Sequence, residues 1–230
     1  MMTQPKDYIH KLDPTKRPPL VRVPEKIVAD IGWYNQNRAT ARRFHPVNGI
    51  EGITIHATAG GTAGGALSWW KNPAVAASAH WLIPAEREAD HGKFIIAAVY
   101  ESLAAWHVRN EKSDPRVNGG RATINHWTLG IEVVNTQLAG DTYSDWQVQT
   151  TADLVRYCWA KYPNFKWIFS HAAVDPTRRL DPGVAFPWER FLTLVNAPAM
   201  QGDDDGGRND LLFPAVNAGP HDGIPCCGND

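Results

Sequence analysis

The chain of 230 residues is 43% hydrophobic and 20% charged, ordinary globular usage that allows one domain with extensions and excludes a wholly disordered protein. A net charge of −1 leaves no global field to attract nucleic acid or an anionic membrane. No apolar run approaches the roughly 20 residues that span a bilayer, and no Sec-type signal opens the sequence.

In chain order, residues 1–28 scatter Pro5, Pro14, Pro18, Pro19 and Pro24 among Lys and Arg, which predicts an extended N-terminal arm over the surface rather than a packed element. All ten Trp lie between Trp33 and Trp188, so the single folded domain is placed at 29–196. Residues 52–58 (GITIHAT) alternate and are β-branched, predicting a strand that runs into a turn containing Gly60, Gly61, Gly64 and Gly65. A short helix with Trp69 and Trp70 follows at 66–71, then short strands at 79–83, 94–99 and 129–134. Residues 143–162 place Trp146, Val148, Ala152, Leu154, Val155, Cys158 and Trp159 near helical spacing, with Pro163 as a stop. A buried strand at 166–170 leads into His171, and a closing helix at 187–195 has Pro in its first turn. Residues 197–230 turn to QGDDDGG and PAVNAGPHDG, a flexible Gly/Asp/Pro-rich tail. The fold class expected is α/β, a mixed central β-sheet with helices on both faces.

The three cysteines, Cys158, Cys226 and Cys227, form neither a disulfide framework nor a zinc knuckle. Of nine histidines, His10, His45, His91 and His221 sit in polar, loop-like stretches and read as surface residues, while His126 beside Trp127 is open. His56 closes one apolar strand and His171 closes another. Two imidazoles at one edge of a sheet can hold one zinc ion, and Asp181, aimed by the Pro182-Gly183 turn, can be a third ligand. Trp69 and Trp70 are adjacent, so a short helix cannot bury both on one stripe. At least one faces a groove, either as plain packing or stacked on a sugar or peptide. The glycine run lacks a following G-K-[ST] and is a flexible turn beside the metal site rather than a phosphate loop.

Six short motifs occur in order: IHAT at 55–58, SAHWLI at 78–83, AWH at 105–107, LGIEVVN at 129–135, SH at 170–171 and RLDPG at 179–183. In these the sequence resembles the type 2 N-acetylmuramoyl-L-alanine amidases, a family that includes amidase-type phage lysozymes and peptidoglycan recognition proteins. The resemblance covers roughly residues 50–195. It implies a zinc-dependent hydrolase that cuts the amide between the lactyl group of N-acetylmuramic acid and the L-alanine of the stem peptide. It places the zinc (Zn2+) ligands on His56, His171 and Asp181, leaving a fourth position for water as in catalytic sites. It puts the general base and acid on Glu132, whose plain alternative is a solvated strand carboxylate.

Many members carry Lys where Arg179 stands. Arg supplies charge and forked donors but keeps its proton, so Arg179 is assigned to electrostatic stabilisation, with a surface Arg beside Arg178 as the alternative. His80 reads as a buried structural or hydrogen-bonding residue near the cleft, with substrate contact as the other reading. His107 reads as lining the groove against the muramyl or peptide part. With Trp69 and Trp70 these form the expected substrate-binding set.

The expected partner is peptidoglycan or a muropeptide, with no nucleic acid and no transmembrane segment. Without a signal peptide the chain is expected to start in the cytoplasm. It then acts on recycled muropeptides there or reaches the wall by phage-driven lysis or another non-Sec route, with polymer the favoured substrate. The rival is a peptidoglycan-binding module without catalysis, which loss of a ligand would mark; no ligand is lost. A third reading is an unrelated metallohydrolase or a metal-free α/β domain.

Overall fold

The computed structural model describes residues 4–19, 27–29, 39–90 and 94–198. Its strands and helices are β1 (Ile9–Lys11), β2 (Ile27–Ala29), β3 (Ala39–Ala41), β4 (Gly52–Ala57), α1 (Ala63–Lys71), β5 (Trp81–Ile83), β6 (Ile95–Ala97), β7 (Leu103–Ala105), β8 (Thr128–Val133), α2 (Asp145–Lys161), β9 (Trp167–Ser170), α3 (His171–Val174) and α4 (Trp188–Val195). Seven strands form one sheet in the order β1-β9-β4-β8-β5-β6-β2, while β3 and β7 pair as a separate ribbon. Central β4 runs parallel to β8 and β9, and β5 runs parallel to β8. Antiparallel pairing of β1 with β9 and of β5 with β6 makes the sheet mixed.

Every residue of β4 is buried, yet the two-residue period of a strand still sorts its faces. Ile53, Ile55 and Ala57 join Leu129, Ile131 and Val133 of β8 in the large core beneath α2 and α4. On the other face Leu82 and Ile96 pack against Ala63, Leu67 and Trp70 of α1. Helices therefore cover both faces, as the sequence predicts. The alternation leaves Thr54 and His56 of β4, with Thr128, Gly130 and Glu132 of β8, on the α1 side.

Local signals account for the helix limits. α2 begins at Asp145 because Ser144 accepts the Gln147 N–H while the Gln147 side chain accepts the Ser144 N–H, a capping box. α1 starts at Ala63, earlier than the expected 66. Thr62 accepts the Gly65 N–H, and the Glu88 carboxylate accepts those of Ala63 and Gly64. Gly64 and Gly65 thus belong to a capped first turn rather than to a flexible loop, the distant Glu88 cap offsetting their poor helix propensity.

The N-terminal arm departs from the expected surface segment. Ile9–Lys11 completes the sheet beside β9, with Ile9 opposite Phe169. Tyr8, 3% exposed, stacks on Trp188 with ring centroids 4.8 Å apart, and Leu12 is buried in the same core. The physical reason is the edge of β9, whose N–H and C=O groups need a partner strand. Prolines on either side restrict that strand to three residues. The tail from 199 onward, with Cys226 and Cys227, lies outside the described residues, as do Trp33, His91 and His221. Among the described residues no helix is long and apolar enough to cross a membrane.

An arm that packs is measurable. Leu12→Ala is expected to cost about 2–5 kcal/mol, the range for a buried Leu truncation, read from urea unfolding. A loss below about 0.5 kcal/mol, the level of an ordinary surface substitution, would return the arm to the surface.

Candidate metal centre

Neighbouring parallel strands β4 and β9 carry His56 and His171 to one end of the sheet. His171 opens α3, whose N-cap Ser170 accepts the Ala173 N–H at 2.9 Å and donates its hydroxyl to the Pro5 carbonyl at 2.5 Å. Asp181 is brought in through the backbone, its carbonyl accepting the Ala172 N–H at 3.1 Å. Beyond it the turn closes from Gly183 N–H to the Leu180 carbonyl, with Gly183 at φ +82, a conformation that favours glycine. The Tyr143 hydroxyl donates to the Pro182 carbonyl at 2.6 Å.

Three buried ligand atoms converge. His56 Nδ1 lies 3.0 Å from His171 Nδ1 and 3.2 Å from Asp181 Oδ2, and His171 Nδ1 lies 3.1 Å from the same oxygen. These edges approach the roughly 3.3 Å between neighbouring ligand atoms of a tetrahedral zinc with bonds near 2.0–2.1 Å. Two imidazole nitrogens and a carboxylate oxygen are also a donor set that zinc accepts, so the residues present fit the ion. Burial, and then the adjacent His171, push the His56 imidazole down to about 4, keeping it in the neutral form that binds metal. Against the upward push of burial, the facing His171 and His56 rings hold the Asp181 carboxyl well below the usual carboxylate range.

Glu132 stands opposite His56 in the β4–β8 register. It lines a cleft of about 930 Å³ together with His171, Arg179 and Asp181. Its Oε2 is buried and has no hydrogen-bond partner among the described residues. Burial, reinforced by the Asp181 charge and partly opposed by Arg179, holds its carboxyl well above the usual value. A buried carboxyl with a raised pKa beside candidate metal ligands is a candidate for proton transfer. Of the arginine pair, Arg178 is tied to Asp175 at 2.7 Å, whereas Arg179 is exposed and makes no ion pair among the described residues.

The expected substrate-binding residues separate. Trp69 is 60% exposed and lines the cleft, and Trp70, 8% exposed, packs with α1 while showing an edge to it. His107 also lines the cleft, in contact with His56. His80 does not: it is 0% exposed, accepts the Gly130 N–H on Nδ1 at 2.9 Å and meets the Leu103 carbonyl through Nε2 at 3.0 Å. Its place in the set is therefore corrected to the structural, hydrogen-bonding reading, because both ring nitrogens are engaged with the backbone of Gly130 and Leu103. Sequence reasoning passed over Thr128 and Gly130. The signal was present, since Thr128, Gly130 and Glu132 recur every second residue and so share one face of β8.

A family model for N-acetylmuramoyl-L-alanine amidase matches residues 46–184, more than half of the chain, and spans all three ligand residues and Glu132. The chain belongs to the N-acetylmuramoyl-L-alanine amidase family. The amidase is 26% identical over 187 residues to N-acetylmuramoyl-L-alanine amidase A of Achromobacter lyticus, covering 73% of this chain and 96% of that protein. It is 33% identical over 120 residues to the 1,6-anhydro-N-acetylmuramyl-L-alanine amidase AmpD of Escherichia coli, covering 52% of this chain and 58% of that one. Among solved structures it is similar to the E. coli N-acetylmuramyl-L-alanine amidase AmiD in complex with anhydro-N-acetylmuramic acid-L-Ala-D-γ-Glu-L-Lys. The identity there is 27% and the TM-score 0.53, with 70% of this chain and 62% of that chain covered.

The raised Glu132 carboxyl carries a sign that can be checked in the metal-free amidase. A folded-state pKa above the ordinary 4.5 means that stability is fully present below that pH and is lost as the pH rises toward the folded value. Glu132→Gln should therefore raise the Tm of chelator-treated protein at pH 8, and this gain should vanish near pH 4. A difference independent of pH would show that the carboxyl is not strained by ionisation.

Proposed function

We propose that this amidase hydrolyses the amide between N-acetylmuramic acid and the L-alanine of a muramyl peptide, using zinc held by His56, His171 and Asp181. The observation that carries this reading is the meeting of two Nδ1 atoms and one carboxylate oxygen, 3.0–3.2 Å apart, beside the buried and unpartnered Glu132 oxygen. Zinc bound there would act as a Lewis acid on the scissile carbonyl and lower the pKa of its water toward about 7.

The protein supplies the rest. Glu132 accepts the proton of the attacking water and returns one to the leaving amine of alanine, with burial raising its basicity. Arg179 offers a fixed charge and two parallel donors to the oxyanion of the tetrahedral intermediate, and it takes no part in proton transfer. Exposed Trp69 gives the sugar or peptide an aromatic face, with the edge of Trp70 behind it. The complete set of ligands with Glu132 favours catalysis over a binding module. The muramyl-peptide complex of AmiD supports the substrate class. We place the site of action at the wall or at recycled wall fragments, wherever that substrate is met.

The test incubates purified protein with zinc on soluble anhydro-muropeptide and, in parallel, on intact sacculi, and follows release of peptide with a free L-alanine amine by mass spectrometry. Chelation should abolish release and added zinc should restore it. Glu132→Gln should bind zinc without turnover. Arg179→Ala should lower kcat by roughly 100- to 1,000-fold, as expected for one oxyanion donor. Binding of muropeptide without cleavage would establish the binding-module reading, and activity indifferent to chelation would remove the metal.

A further inference from the structure

We propose that His107 is a positioning residue that acts through His56, fixing which nitrogen of that ring is free for the metal. The inference rests on the zinc reading above and concerns how one ligand is made ready.

Counting protons along a chain of contacts sets its direction. Thr128 Oγ1 lies 2.8 Å from the Ile124 carbonyl oxygen. Two oxygens that close need a hydrogen between them, and only the hydroxyl has one. With that hydrogen used, Oγ1 can only accept at its other contact, His107 Nε2 at 3.3 Å, so His107 carries its proton on Nε2. A neutral imidazole protonated there has its lone pair on Nδ1. That Nδ1 sits 3.1 Å from His56 Nε2, which must then be the N–H donor. His56 keeps its lone pair on Nδ1, the atom that faces His171 and Asp181. The opposite direction would press two oxygens together with no hydrogen between them.

Among the described residues no carboxylate bonds to His107, and the rings of His56 and His80 meet it edge-on at 5.2 and 5.8 Å. A buried imidazole with no acid beside it is neutral.

The ring is also held rigidly. On one side of it Trp106 exchanges two hydrogen bonds with Ser78, the Trp106 N–H to Oγ at 2.9 Å and the Ser78 N–H to the Trp106 carbonyl at 3.1 Å. On the other, the Asn125 amide pairs with both backbone groups of Val108, at 2.9 and 2.6 Å. Beneath the ring is Gly130, where a Cβ would come within 2.6 Å of His107 Cγ, so any side chain there would displace the imidazole. Such construction suits a group that must aim another group. His171 lacks this support, since its outer Nε2 is buried with no partner among the described residues. Partners of a metal-bound histidine's outer nitrogen typically change metal affinity by about 10–100-fold when removed.

The experiment measures zinc affinity by chelator competition, with kcat and KM alongside, for His107→Phe, His107→Gln, Thr128→Val and Thr128→Ser. His107→Phe should weaken zinc binding by about 10–100-fold. Thr128→Val should weaken it less, Thr128→Ser should match the parent, and His107→Gln should recover part of the loss because its amide oxygen can accept from His56. Parental zinc affinity in His107→Phe, with a raised KM, would overturn the proposal in favour of a substrate contact. Should that variant not fold, imidazole 15N spectra of the unsubstituted, metal-free protein decide. The Nε2–H form of His107 is expected, and the Nδ1–H form would overturn the proposal. Failure of the unsubstituted protein to take up zinc would instead overturn the metal reading itself.

Discussion

Six parallel pairs, from Gly52 opposite Thr128 to Ala57 opposite Val133, hold β4 against β8, and the chemistry of the amidase depends on their register. Side chains alternate between faces, so a slip of one residue in β8 would turn Glu132 into the core under α2 and bring Ile131 to the cleft. The apolar face prevents this. Ile53, Ile55, Leu129, Ile131 and Val133 are all fully buried, and each such side chain is worth about 1.5–3 kcal/mol in its burial. β9 adds its own register on the other side of β4, from Gly52 opposite Trp167 to Ile55 opposite Ser170. Gly52 admits no side chain there, because a Cβ would meet the Trp167 carbonyl at 2.7 Å. Hydrophobic packing on one face thus specifies the positions of polar atoms on the other.

The two faces of the sheet divide stability from function. Beneath α2 and α4 lies a continuous apolar core of aromatic and branched residues. On the opposite face Thr54 Oγ1 and Glu132 Oε2 are buried without a hydrogen-bond partner among the described residues, as is His171 Nε2 at the start of α3. Unpaired buried polar groups cost roughly 1–3 kcal/mol each, and the two beside the candidate ligands, on β8 and at the start of α3, mark where the fold gives up stability for reactivity. The sheet between them separates these opposing demands.

Much of the fold was legible because its elements carry their own signals. β4 shows β-branched alternation, and α2 has helical spacing and a Pro163 stop. Glu132, the one acid of an apolar strand, was singled out by the resemblance. Two strand-end histidines and a turn aspartate suggested the candidate ligand set weakly and the resemblance assigned it, since His56, His171 and Asp181 meet through the parallel pairing of β4 with β9, which no local spacing encodes. The β3–β7 ribbon was missed because its segments, ATA and LAA, are alanine-rich and weak in strand propensity. The arm was misplaced because a strand of three residues is too short to display a period. The role of His107 was hidden for a related reason, its hydroxyl partner Thr128 lying 21 residues away.

Pairing of β1 with β9 has a consequence for how the amidase is made. The Ser170 hydroxyl that caps α3 bonds to the Pro5 carbonyl, 165 positions earlier in the chain. During translation at about 5–20 residues per second, the early segment waits on the order of ten seconds or longer before its partner emerges. Until then Tyr8 and Leu12 have no apolar surface to cover, and the turn that presents His171 lacks its support. The pairing of β1 with β9 is therefore a long-range closure, of the slow kind that high contact order brings, and it ties the start of the domain to the turn that presents His171.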